Sequence, residues 1–138
     1  MIQPIAYYIG LMMFAAIWSG YPMPANPPVV IQEHLLAKNN TRPWATTDWK
    51  KVIHLNDNIK MDDFGKCILT HEYVHYLQMV NGVKEPRNRQ EMIYNIEMPA
   101  YKIQALCLRM YGLDIDAEDI DYRIKHNPKS LAPKEDWK

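Results

Sequence analysis

The pattern of apolar and polar positions divides the chain into a few blocks. Residues 5–18, "IAYYIGLMMFAAIW", form a run without a charged side chain. "YPMPANPP" follows, with Pro22, Pro24, Pro27 and Pro28. Proline fixes φ and removes a donor, so no helix continues through this stretch, which reads as a linker at 21–28. "VVIQEHL" (29–35) has the β-branched enrichment of a short strand. "AKNNTRPWATTDW" (37–49) reads as a loop. "KVIHLND" (51–57) is a second strand candidate, with Val52, Ile53 and Leu55 running into turn formers. Phe64 to Val80 is apolar almost all round, the mark of a buried helix. Asp62 or Asp63 can cap its start and Asn81-Gly82 its end. A second helical stretch over 89–111 ends at Gly112 and contains Pro99, where a kink or restart is expected. "DIDAEDIDYRIKH" (114–126) places acids first and bases last, as the helix dipole favours. Its acids do not make a calcium loop: counting from Asp114, the places that need Gly and Glu hold Asp119 and Lys125. The tail at 127–138 is expected to be extended. These blocks predict an α+β, predominantly helical domain over 29–126.

Length, charge and cysteine content narrow the classes. At 138 residues the chain suits one domain with one core. Sixteen basic and sixteen acidic residues cancel, and no like-charge block favours nucleic acid or an anionic membrane. A peptide or protein substrate is the expected partner, and nucleic acid is not. Cys67 and Cys107 are too few for a disulfide scaffold, and no C-x-x-C pair exists. The run at 5–18 is shorter than the about 20 residues that span a bilayer but fits the apolar region of a signal peptide. Segment 1–20 is therefore expected to be an export signal or a membrane anchor, although no Lys or Arg precedes the run; a buried core helix is the alternative. An exported location follows from the first reading, periplasmic, secreted or membrane-anchored.

The chemistry concentrates in "LTHEYVHYLQ" (69–78). On a helix, residues four apart share a face, so His71 and His75 can meet one zinc ion. Glu72 lies beside them, suited to act as general base on a water polarised by the metal. Two histidines and a glutamate on a buried helix are costly unless partnered, and a metal is the simplest partner. The plain alternative is a pair of satisfied core histidines with an ion-paired Glu72. A third ligand is sought among Glu85, Glu91, Glu97, Asp114 and His126. Glu97, on or beside the apolar face of the second helix, is favoured, with an ion pair to Lys or Arg as its alternative.

"THEYVHYLQ" together with "NIEMPAYKIQA" resembles the gluzincin branch of zinc metallopeptidases, most closely its small bacterial and phage members with an HE-x-x-H-x-x-Q … E-x-x-A pattern. The resemblance covers about 29–111 and is specific only at the motif helix and Glu97. It implies a minimal zincin-like fold, a small sheet over the motif helix with the glutamate helix behind. It also implies one Zn²⁺ on His71, His75 and Glu97, with Glu72 moving the proton during peptide hydrolysis. The chain departs from the larger enzymes in size and in carrying Pro99 beside the ligand. A peptide would lie along an edge strand at Val52, Ile53, His54 and Leu55. Tyr101 is the candidate oxyanion donor, with His54 and His34 as alternatives. If the glutamate helix runs antiparallel to the motif helix, Cys67 and Cys107 fall toward one end of the site, and an exported protein would bridge them. Two other classes compete: a non-catalytic zinc-stabilised binding module, which the intact Glu72 disfavours, and an intracellular regulatory metallopeptidase, if segment 1–20 is a core helix.

Overall fold

The structure is a computed structural model and describes residues 2–36 and 43–132. It is an α+β arrangement of helices against a small mixed sheet. The chain opens with β1 (Gln3–Pro4) and α1 (Ile9–Ser19), which closes on Gly20 in the left-handed region at φ 80°. After the proline stretch come β2 (Val29–Glu33), β3 (Ala45–Thr47) and β4 (Val52–Asn56). The sheet order is β1-β2-β4-β3. β2 and β4 are parallel, with Ile31 opposite His54, while β1 and β3 join antiparallel at the two sides.

The motif helix α2 runs from Asp63 to Val80. Asp62 caps it by accepting from the Gly65 N–H at 2.9 Å. Gly65 is required by space: a Cβ there would overlap the Lys60 carbonyl oxygen. At the far end Gly82 takes φ 85°. A short α3 (Arg89–Glu91) leads into a π-helical turn, Met92–Glu97, and then α4 (Met98–Met110). Pro99 thus falls in the first turn of α4, where its missing donor costs least. The expected restart in this stretch is a π turn, in which the Met98 N–H reaches back to the Ile93 carbonyl. α5 (Asp114–His126) packs on α4 through Ala117 and Ile120.

One core joins Met12 and Ala15 of α1, Val30 of β2, Ile53 and Leu55 of β4, and Leu69, Tyr73 and Leu77 of α2. The apolar run at 5–18 therefore supplies core. The Tyr8 N–H also donates to the Tyr73 hydroxyl at 3.1 Å, and the Tyr76 hydroxyl to the Asn26 carbonyl at 2.9 Å. Among the described residues no helix is long and apolar enough to cross a membrane. Cys67 and Cys107 form a disulfide that joins α2 to α4.

Three sequence expectations need correction. β4 is not an edge: it is paired on both sides, so Val52, Ile53, His54 and Leu55 cannot accept a peptide strand, and the edge nearest α2 is β3. β3 itself lies within the stretch read as a loop, whose residues 37–42 are outside the described residues. The tail is not extended at its start. Pro128–Leu131 forms a 3-10 turn that buries Leu131 and Ala132 near Ile93, with Arg89 Nε donating to the Ala132 carbonyl at 2.7 Å. Residues 133–138 lie outside the description.

Candidate metal centre

α2 and the π turn bring three donor groups together. His71 and His75, one helical turn apart, set their Nε2 atoms 3.1 Å from each other. Glu97, the last residue of the π turn, places Oε1 3.0 Å from His71 Nε2 and 2.7 Å from His75 Nε2. No other group of three or more His, Cys, Asp or Glu among the described residues has ligand atoms so convergent. Glu85 and Glu91 are elsewhere, and Glu91 instead pairs with Arg87 on the surface.

The donor set suits a cation. His75 Nδ1 lies 2.9 Å from Gln78 Oε1, while Gln78 Nε2 donates to the Ile96 carbonyl at 3.0 Å. A carbonyl can only accept, so the Gln78 amide nitrogen faces Ile96 and its oxygen faces His75. His75 must then donate from Nδ1, which leaves the Nε2 lone pair aimed at His71 and Glu97. Two imidazole nitrogens and a carboxylate oxygen thus converge where a metal or a proton must sit. Zinc bonds of about 2.0–2.2 Å in a tetrahedron hold ligand atoms roughly 3.3 Å apart, so the three separations need to open by about 0.2–0.6 Å. Zinc, when bound there, would acidify a water molecule and polarise a carbonyl.

The electrostatics of the metal-free site are those of a shared proton. Burial opposes charge on His75, but the Glu97 carboxylate against it wins and raises it to about 9. Burial likewise opposes charge on Glu97, and the two imidazoles overcome it, holding its carboxyl well below the usual carboxylate range. His71 is anchored differently. Among the described residues its buried Nδ1 finds no hydrogen-bond partner, and its ring instead meets the Tyr101 ring edge-on at 4.4 Å.

Glu72 lies beside the donors, with Oε2 3.9 Å from His71 Nε2. Thr47, at the end of β3, donates its hydroxyl to Glu72 Oε1 at 2.9 Å. A cavity of about 730 Å³ opens over the centre, walled by β3, by Trp44, Trp49 and Phe64, and on the far side by Tyr101 and Arg123. Burial raises the Tyr101 hydroxyl to about 12, with the Glu97 charge adding to the effect, so it stays protonated and able to donate. Arg123 lies 5.2 Å over the Tyr101 ring and donates to Ser130.

The structure brings together His71, Glu72, His75, Glu97 and Tyr101, all of which line the cavity. It does not bring the other histidines there. His54 points off the opposite side of the sheet from buried Ile53 and Leu55, held between Glu33 (2.7 Å) and Asp48 (2.8 Å). His34 is exposed and paired with Asp57 at 3.1 Å. Neither lines the cavity, so neither can be the oxyanion donor. Sequence reasoning missed Thr47 and assigned no role to Gln78. The second had a local signal, since it sits three residues after His75 on the same face; the first had none, because its contact crosses from sheet to helix. No family model, curated protein or solved structure matches the chain.

Proposed function

We propose that this chain is a zinc-dependent peptidase of minimal zincin-like architecture, with His71, His75 and Glu97 as the metal ligands and Glu72 as the general base. The observation that carries the reading is Glu72 itself. A carboxylate beside the convergent donors, in an open cavity and held by Thr47, is what proton transfer from a water requires and what a purely structural metal site would not need. Glu72 takes the proton and later delivers it to the leaving amine. Thr47 fixes one carboxylate oxygen and leaves the other directed toward the ligands. Tyr101, kept protonated by burial, donates toward the developing oxyanion. An extended peptide pairs along the outer edge of β3, one strand from where the sequence pattern suggested, and the aromatic wall of the cavity takes an apolar side chain. The Cys67–Cys107 bridge supports residence in an oxidising compartment, hence export.

The test is metal analysis of the purified chain beside His71→Ala, then incubation of wild type and Glu72→Gln with a pool of unstructured peptides. One equivalent of zinc in wild type, little in His71→Ala, and cleavage by wild type alone are expected. Zinc without cleavage leaves a non-catalytic metal-stabilised module. Equal cleavage by Glu72→Gln removes the proposed base.

A further inference from the structure

We infer that Gln78 is a positioning residue that sets the geometry of two metal ligands on two different helices at once; the inference rests on the metal reading above. Its amide oxygen accepts from His75 Nδ1 at 2.9 Å and its amide nitrogen donates to the Ile96 carbonyl at 3.0 Å. Ile96 immediately precedes Glu97, within the π turn. Gln78 is itself 3% exposed, so both bonds are made away from water.

Each bond answers a specific need. An imidazole can ligate through Nε2 only if Nδ1 carries the hydrogen, and the Gln78 oxygen demands that hydrogen whatever occupies Nε2. The second bond concerns the backbone. At Met98 the π turn gives way to the α register, so the carbonyls beside that junction sit between two hydrogen-bonding patterns. A side-chain amide on the Ile96 carbonyl holds the turn in the register that points Glu97 at the histidines. One rigid amide therefore ties the His75 ring plane to the backbone of the Glu97 ligand. Among the described residues His71 Nδ1 has no such anchor, so orientation of the two histidines by hydrogen bonding enters through Gln78.

Outer-shell partners of this kind are typically worth about 10–100-fold in metal affinity. Full-length wild type, Gln78→Leu and Gln78→Glu are compared by zinc competition against a chromophoric chelator, by the visible spectrum of the cobalt-loaded proteins, and by melting of the metal-free forms. Gln78→Leu removes both bonds and is expected to bind zinc about 10–100-fold more weakly, with an altered cobalt spectrum. Gln78→Glu keeps an acceptor for His75 Nδ1 but loses the Ile96 bond, and is expected to bind zinc with an affinity between those of wild type and Gln78→Leu. Wild-type zinc affinity and cobalt spectrum in a folded Gln78→Leu overturn the inference and leave the metal reading intact. Failure of wild type to bind either metal overturns both. A measurement on wild type guards against a variant that does not fold: nitrogen-15 spectra of the zinc-loaded protein should show His75 protonated at Nδ1, and a proton at Nε2 with metal on Nδ1 overturns the inference.

Discussion

α2 presents two faces that differ in kind. One packs Leu69, Tyr73 and Leu77 against α1 and the sheet in a core built from apolar contact. The other carries His71, Glu72, His75 and Gln78, equally buried, and nearly every polar atom there is held by another polar group. Both faces are buried, by opposite means. The apolar face needs only volume and shape; the polar face needs partners, because each unpaired buried group costs about 1–3 kcal/mol. Changes of volume on the first face should therefore cost stability alone, and changes on the second should cost stability only where they leave a group unpaired, and chemistry besides.

The largest expected effect is on the apolar side. Deleting residues 1–20 removes Met12, Ala15 and β1 and bares Tyr73, a loss of at least about 5 kcal/mol and so of cooperative melting by circular dichroism. A truncated chain that melts like the full one would show that α1 is dispensable. On the polar side, Glu72→Gln should lower peptide hydrolysis by about 10²–10⁴-fold while leaving zinc content and melting nearly unchanged. Gly65→Ala lies at the entry to α2, upstream of both faces. The added methyl meets the Lys60 carbonyl, so a loss of about 2–3 kcal/mol is expected in urea titration.

The shared proton gives a pH prediction confined to the polar face. His75 is raised in the folded metal-free chain to about 9, so its contribution is complete below its ordinary value near 6.5 and is lost as pH climbs through about 9. Glu97 is depressed, so its contribution holds above the ordinary carboxylate value and disappears only in strong acid. Metal-free protein should accordingly melt lower at pH 10 than at pH 6.5. Zinc binding near pH 7 should release about one proton, a release that vanishes above pH 9. Calorimetry in buffers of different ionisation enthalpy measures it. The smallest effect is Thr47→Val, which removes one hydrogen bond to Glu72. It should cost about 1 kcal/mol or less in stability and lower turnover several-fold at most, read from melting and from peptide hydrolysis.

How much of this was legible along the chain follows the same division. α2 could be read because its signals are local: the Asp62 cap, an apolar run of helical length and a glycine stop. The two histidines came with it. Glu97 was legible as an acid on a buried face, but its aim depends on a π turn that no periodicity announces. Strand order was not legible. Val52, Ile53 and Leu55 look alike on an edge or at a centre, and β3 is three residues long, held by pairing with β4 rather than by its own composition. Leu131 was hidden for a similar reason, since its burial depends on Ile93, far away in sequence.

The bridge between Cys67 and Cys107 encloses a span that contains His71, Glu72, His75 and Glu97, the proposed ligands and base. Dithiol reagents that open disulfides also bind zinc, so such a reductant added as a preservative would act on this protein twice, at the clasp and at the proposed ion. Preparations made with and without such a reductant should be treated as two different materials.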